Sequence, residues 1–373
     1  MGKCSVCGEK AATISDALGV CLGCIREKPE QALRITKQVH AKSRAVFGLP
    51  SEPPKDTGGL PCGICGNSCA IGVDNRGFCG LVSNAEGRLV RSGGTVENGV
   101  LEWYYDSLPT NCVAWWFCPG CTGNGYPKYA YKPQAEYGYA NLAVFYGACS
   151  YDCLFCQNWH YRNLSANHKP VMSAEALAAK AGKHVSCICY FGGDPSPQMP
   201  HSLEVSRIAL EKAKAEERIL RVCWETNGYM DPRLAEKAAE YALQSGGNIK
   251  FDLKAWSEDV NIALYGVSNR LTLANFKMIG ERYYKRRPEL PLLSASTLLI
   301  PGYIDTEEIE NIAKFTREID QTIPYTLLAF YPCYIMNDLP TTSRKHAIEC
   351  QKAAKKHLKN TRIGNIHLLS WKF

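Results

Sequence analysis

Residues 141–159 read "NLAVFYGACSYDCLFCQNW": an apolar run delivers three cysteines, Cys149, Cys153 and Cys156, at CxxxCxxC spacing. "NLAVFYG" has the length and apolarity of a buried strand, so the thiols stand at a strand's C-terminal end. Three thiolates cannot complete a four-thiolate iron–sulfur cluster. If they hold three irons of a 4Fe–4S cube, the fourth iron is open to a substrate or cofactor, as the open position is in a catalytic zinc site. The same spacing also admits a zinc site finished by a distant histidine, or three core thiols.

Outward from that stretch, strands and helices alternate to the end of the chain. Further strands are expected in "SCICYFGG" (186–193), "RILRVCWETNG" (218–228), "NIKFDLKA" (248–255), "LPLLSASTLLIPG" (290–302) and "YTLLAFYP" (325–332). Helices are expected over 173–184, with Ser173 as N-cap, and over 201–217, 231–245, 269–286, 306–319 and 343–358. The helix at 231 opens on Asp231 and Pro232, and the one at 306 on a Thr-x-x-Glu-like cap. Six strands, each followed by a helix, imply parallel crossovers and an α/β fold: a partial (β/α)6 barrel over 139–373. Chemistry in such barrels sits at the C-terminal strand ends. The triplet, "GGDP", "ETNG", "DLK", "IPG" and "YPC" all fall there. Lys254 at such an end is either a core ion-pair partner or a contact to substrate or cofactor. Cys333 is either a buried thiol or a catalytic thiol acting as hydrogen donor. Cys187 and Cys189 alternate along one strand and share a face, as core or lining.

The chain has 373 residues, 46% of them hydrophobic, and a net charge of +7. That length allows two domains, or one large domain with appendages. No Lys/Arg block stands out, so nucleic acid is not an expected partner. No run approaches the ~20 apolar residues of a membrane span. "MGKCSVCGEK" has no apolar signal run, so a cytoplasmic location is expected. Nineteen cysteines are then read as metal ligands or catalytic groups rather than disulfides, in a reducing, anaerobic cell.

The cysteines before residue 157 are grouped. Cys4, Cys7, Cys21 and Cys24 form CxxC–x13–CxxC, the spacing of a zinc ribbon, in a module over 1–50 with a helix at 25–48. Zinc would give that short module a reason to fold; an electron-transfer cluster is the alternative. After the Pro/Gly linker 49–61 comes a Cys/Gly/aromatic-rich region reaching residue 138. There Cys62, Cys65, Cys69 and Cys79 form a second tetrad, read as zinc or further iron. Cys112, Cys118 and Cys121 are three: they borrow a ligand, hold a metal with an open position, or are structural. Trp115, Trp116 and Phe117 between them are core filling, or the wall of a flat cofactor.

The triplet at the end of the first strand resembles the radical S-adenosylmethionine superfamily. The resemblance implies that the open iron holds the amino and carboxyl groups of S-adenosylmethionine, which one electron cleaves to methionine and a 5′-deoxyadenosyl radical. It implies that Phe155 packs on the adenine. Gly192-Gly193-Asp194-Pro195 resembles the family's Gly-Gly-Glu-Pro, which meets the methionine amino group; Asp194 has a shorter reach than the usual Glu. Glu225, Asn227 and their neighbours in "ETNG" resemble the motif that contacts ribose and methionine. "CQNW" (156–159), "DLKAW" (252–256), "TLLIPGYIDTEEI" (297–309), "FYPCYIMNDLPTT" (330–342) and "IGNI" (363–366) resemble relatives of the pyruvate formate-lyase activating enzyme, as does the leader 62–89.

Three functions compete, the first as the leading reading and the other two as its alternatives. One is modification of a protein or peptide, most concretely methylation of an unactivated peptidyl carbon. In this superfamily that generally needs cobalamin, as in methanogen methylases of the type acting on methyl-coenzyme M reductase, a weak resemblance of general type. The second is activation of a glycyl-radical enzyme. The third is a non-catalytic metal or electron-transfer scaffold. Both enzyme readings imply an external one-electron donor of ferredoxin or flavodoxin type.

Overall fold

The computed structural model describes residues 1–371. Its main sheet has nine strands: β1 (Asn98–Ser107), β2 (Ala140–Tyr146), β3 (Val171–Ser173), β4 (Val185–Gly192), β5 (Arg221–Thr226), β6 (Ile249–Asp252), β7 (Leu293–Leu299), β8 (Tyr325–Ala329) and β9 (Thr361–Gly364). Their order is β9-β8-β7-β6-β5-β4-β2-β1-β3. The β2-to-β9 part is parallel throughout, while β1 runs antiparallel to both β2 and β3. The six expected strands are all present. Strands β1, β3 and β9 extend them, and the two ends of the sheet do not pair with each other. No helix among the described residues is long and apolar enough to cross a membrane.

Register sorts the side chains. Cys189 lies opposite Cys223, Glu225 opposite Lys250, and Asp252 opposite Ser296. Because strand side chains alternate, these polar and thiol groups share the inner face. The other face carries Ile188, Val222, Trp224 and Phe251, all buried. Helices cover that face: α4 (Ala174–Ala179), α5 (Met199–Ala215), α6 (Pro232–Ser245), α8 (Arg270–Tyr283), α9 (Thr306–Ile319) and α10 (Arg344–Lys355), whereas α3 (Tyr161–Asn167) lies beside β1 and α7 (Glu258–Tyr265) packs at the mouth against the helix over 29–45. The Trp224 indole donates to Ser202 on α5 at 3.2 Å, and Phe251 packs edge-on against Phe276 of α8. Burying each such large side chain contributes about 1.5–3 kcal/mol.

Helix starts follow the expected caps, with one shift. Ser173 accepts from the N–H of Ala176 at 3.1 Å, and Asp231 from that of Arg233 at 3.0 Å. For α9 the cap is Asp305, one residue before Thr306, accepting from the N–H of Glu308 at 3.0 Å. The single helix expected over 25–48 is two, α1 (Leu22–Glu27) and α2 (Pro29–Ala45). Pro29 disfavours helical backbone at Lys28, which lies at φ −133° and ψ 53°.

The N-terminal 91 residues lie over the C-terminal strand ends. Tyr303 donates to the Val20 carbonyl at 2.8 Å, Ser15 to Asp338 at 2.8 Å, and Arg26 pairs with Asp305 at 2.8 Å. Asn67 donates to the Ser150 carbonyl at 2.8 Å. The opposite end is closed by residues 108–139, which link β1 to β2. Trp116 donates to Thr326, at the start of β8, at 3.3 Å. Glu136 pairs with Arg221, the first residue of β5, at 2.6 Å.

Candidate active site at the C-terminal strand ends

The CxxxCxxC turn leaves β2 and is held from several sides. The Asp152 N–H donates to the Tyr265 carbonyl at 2.9 Å, and the Leu154 carbonyl accepts from the N–H groups of Ile335 and Met336, both at 2.9 Å. Asp152 itself is fully buried. Its carboxylate takes Arg162 Nη2 at 2.6 Å and His40 Nδ1 at 2.9 Å, with Arg44 at 3.7 Å. Burial pushes this carboxyl up, and His40 and the two arginines reverse that and hold it far below the usual carboxylate range.

The thiols fit a multi-iron cluster with room for another ligand. Among the described residues no three of these sulfurs lie within 4.8 Å of one another, as ligands of one ion would. In a cube each thiolate takes its own iron. Burial pushes all three thiols up, Cys153 to about 12, while Lys254 and Arg162 pull Cys153 and Cys156 back. Arg162 also keeps Nε and Nη1 buried without a partner. Buried donors without acceptors are costly, so an anionic sulfur-rich group beside them answers a need of the fold. Cys149 accepts from the Tyr151 N–H at 3.3 Å and from Asn227 Nδ2 at 3.7 Å.

The other strand ends converge here. Gly192 lies at φ +113°, and a Cβ on it would stand 2.5 Å from the Tyr146 nitrogen; one on Gly193 would stand 2.3 Å from the Ala148 carbonyl oxygen. The two glycines let β4 end against the first residues of the cysteine turn. Asp194 accepts from the N–H groups of Ser196 at 2.7 Å and Asn227 at 2.6 Å, and from the Thr226 hydroxyl at 3.0 Å. Its carboxylate ties "GGDP" to "ETNG". Burial pushes its carboxyl up against the pull of these donors. Asn227 reaches Ser150 Oγ at 2.9 Å. Phe155 is buried edge-on between Tyr265 and Phe330, at 5.4 and 5.7 Å.

A row of charges runs along the inner face toward the turn. Lys250 lies 3.4 Å from Glu225 and 2.6 Å from Asp252, and Lys254 lies 3.1 Å from Asp252. Burial works against the Lys254 charge, and Asp252 and Cys153 overcome it and lift it well above an ordinary lysine. Lys254 is thus both an ion-pair partner and a neighbour of the cysteine turn. Glu225 also accepts from the Cys112 thiol at 3.0 Å. Cys333 sits in a half-buried turn bridged to Met336, whose N–H binds the cysteine loop.

The N-terminal tetrad is brought together as its spacing predicts: the sulfurs of Cys4, Cys7, Cys21 and Cys24 all lie within 4.8 Å of one another. Burial pushes the Cys4 thiol up, but the backbone N–H groups of Cys7, Cys21 and Val6 leave it at about 6. Such a set can hold a metal. Cys62, Cys65, Cys69 and Cys79 are more spread, with no three that close among the described residues. Cys62 accepts from Arg91 at 3.2 Å and Cys69 from the Phe78 N–H at 3.5 Å. Cys118 and Cys121 lie toward the other end of the barrel, while Cys112 reaches up to Glu225. Phe117 beside them is buried, whereas Trp115 is 41% exposed under the Arg362 guanidinium.

Asp152, Arg162 and His40 carry the turn, yet motif reading passes over them. The available signal was an acidic residue inside a cysteine turn after an apolar strand; Arg162 follows it by ten residues, but His40 and Arg44 come from more than a hundred residues before it.

The sequence profile of the Radical SAM superfamily matches residues 143–316. A Methanocaldococcus jannaschii protein, provisionally described as a glycyl-radical enzyme activating enzyme, is 26% identical over 215 residues, 57% of this chain and 76% of that one. An uncharacterised protein of the same organism is 25% identical over 321 residues, 83% of each chain. Among solved structures, Streptococcus suis SuiB bound to S-adenosylmethionine aligns at 15% identity and TM-score 0.42, over 59% of this chain and 49% of that one. A domain of a pyruvate-formate lyase-activating enzyme from Bacteroides vulgatus aligns at 18% identity and TM-score 0.37, over 48% and 98%. With the cysteine turn, the paired glycines and the strand-end loops assembled at one mouth, the chain carries a domain of the radical SAM superfamily.

Proposed function

We propose that this radical SAM enzyme modifies a protein, and that the modification is activation of a glycyl-radical enzyme. The observation that carries the reading is the 215-residue likeness to the M. jannaschii protein given that role. In the superfamily a 4Fe–4S cluster, when bound, delivers one electron to S-adenosylmethionine and releases a radical that abstracts hydrogen. In this chain Cys149, Cys153 and Cys156 would hold that cluster. Lys254 and Arg162 offset its negative charge. Asn227 and the Gly192–Gly193 backbone line the place for the methionine end, and Phe155 lies on the adenine side. Cys333, in the turn against the cysteine loop, would be a hydrogen donor only in a reaction that quenches a substrate radical; activation leaves the radical on the substrate and takes no hydrogen from this thiol. An external one-electron donor of ferredoxin or flavodoxin type and a cytoplasmic setting complete the reading. Metal at the Cys4 set, and zinc or iron at the Cys62 set, accompany it.

Methylation of a peptidyl carbon, with cobalamin as carrier, is the competing fine reading; the relative's description favours activation. Anaerobically reconstituted protein is mixed with S-adenosylmethionine and dithionite. 5′-Deoxyadenosine should form, and be lost in Cys153→Ala. With a glycyl-radical enzyme from the same genome, a glycyl doublet in the electron paramagnetic resonance spectrum is expected. S-Adenosylhomocysteine formation and methyl transfer to peptide instead would establish methylation. No 5′-deoxyadenosine at all would leave the scaffold reading.

A further inference from the structure

We propose that the cavity at the N-terminal end of the barrel is a further metal centre, an iron–sulfur cluster held by Cys118, Cys187 and Cys223, which line it, and by Cys121 of the Cys118 turn. The proposal does not rest on the reaction at the mouth. It starts from a coincidence of placement. Cys187, Cys189 and Cys223 are scattered in sequence, and register puts them on one inner face: Cys189 lies opposite Cys223, with Cys187 two residues before it. The segment closing the barrel base then brings Cys112 and the Cys118–Cys121 turn against them. Cys112, Cys118, Cys187, Cys189 and Cys223 all line one cavity, with Arg221 beside them. Only Cys333 and Cys350 then stand outside a group.

The cavity measures about 50 Å³ as room for the centres of water molecules. With the water radius added, a compact void of that size is roughly 7 Å across, large for one ion. Cysteine is a serviceable small core residue, but core filling leaves no such void. Cys118, Cys187 and Cys223 line that space, and Cys121 follows Cys118 in the same turn with its thiol toward the Thr110 carbonyl at 3.7 Å; Cys187 meets Asn141 Oδ1 at 3.3 Å, and Cys223 accepts from the Asn248 N–H at 3.4 Å.

The chemistry of the set selects the ligand class. A zinc ion bound by four sulfurs at about 2.3 Å would need them roughly 3.8 Å apart. No three of these sulfurs lie even within 4.8 Å of one another among the described residues. A wider ring of soft thiolates suits a cluster, where each takes its own iron. Charge agrees: the buried Arg221 guanidinium lines the same cavity, a positive group beside the thiols. Arg221 is itself fixed by Glu136 and the Tyr129 carbonyl, at 2.6 and 2.7 Å. Cys112 and Cys189, with Glu225, lie on the side facing the mouth. Cys223 is three residues and Cys187 five residues from their strand ends, so the proposed centre is roughly 10–16 Å below the mouth.

The test uses the full chain, reconstituted anaerobically with iron and sulfide. In the Cys149→Ala/Cys153→Ala/Cys156→Ala background, which removes the mouth site, iron and acid-labile sulfide should persist. Adding Cys187→Ser/Cys223→Ser should remove about four irons per chain, with the Mössbauer signature of a 4Fe–4S centre lost in step. Cys118→Ser/Cys121→Ser should do the same, guarding against one pair merely misfolding; circular dichroism confirms the fold in each. Equal iron with and without these substitutions in folded protein overturns the proposal. Stoichiometric zinc in place of iron, lost with the same residues, also overturns it. Loss of 5′-deoxyadenosine formation in the triplet variant alone speaks only to the mouth.

Discussion

Asp152 shows what a single residue does for the cysteine turn. It sits between Cys149 and Cys153, and its carboxylate neutralises Arg162 and binds His40. Asp152→Asn keeps the shape and removes the charge, leaving a buried arginine uncompensated. A loss of about 3–5 kcal/mol is expected, read as a lower urea midpoint with unchanged slope, together with poorer iron retention after desalting. An unchanged midpoint would show that the ion cluster does not hold the turn. The three thiols were legible from spacing alone. Asp152 was not, because its partners come from residues 40, 44 and 162. His201 gives a second test at this scale. Burial lowers its imidazole to about 4, and its Nδ1 pairs with the Tyr146 hydroxyl at 2.8 Å. The unfolded chain takes up that proton near 6.5. Between those values the unfolded state binds more protons, so stability rises with pH. Going from pH 7 to pH 5 should cost about 2 kcal/mol through this residue, and His201→Gln should lose correspondingly less over the same interval.

Elements were legible where periodicity and caps agree, and not where a partner supplies the reason. The six parallel strands and most helix starts follow from apolar runs and capping residues. β1 did not, because its second half puts Trp103, Tyr104 and Tyr105 in a row between the charges Glu102 and Asp106 with no apolar–polar alternation, and it becomes a strand by pairing with β2. The α9 start shows the same limit. Glu308 follows a local cap, yet its carboxylate reaches across to the N–H groups of Trp256 at 2.7 Å and Ser257 at 3.0 Å, to the Ser257 hydroxyl, and to Arg26 at 3.0 Å. One buried side chain thus caps α7, braces α9 and receives the N-terminal module. Glu308→Ala leaves buried donors unmet, so a loss of about 3 kcal/mol is expected in chemical denaturation. Asp305→Ala, which removes only the N-cap and half of a part-exposed ion pair, should cost about 1 kcal/mol. Equal losses in the two variants would refute the bracing role.

On the scale of the whole molecule, the barrel has two chemically distinct ends, each finished by residues outside the repeating strands. The cysteine groups were visible in sequence; which end each one serves was not, since that depends on where long connections dock. The segment 108–139 closes the base, and residues 1–91 lie over the mouth. The second arrangement has a consequence. The Cys4 tetrad fixes α1, taken as Leu22–Glu27, and through Lys28–Pro29 the direction of α2, taken as Pro29–Ala45. That helix supplies His40 and Arg44 to Asp152. Metal held by the four thiols should therefore steady the cysteine turn without touching it. Replacing Cys4 and Cys7 by serine should release this support. Hydrogen exchange should then quicken in residues 29–45 and also in 149–156, while the β4–β6 strands at the sheet's centre stay protected. Iron at the triplet should be lost faster to a chelator than in the unaltered protein. Faster exchange confined to the first 28 residues would show the module to be a passive appendage; spread into the cysteine turn would show that the N-terminal metal set and the radical site are mechanically one unit.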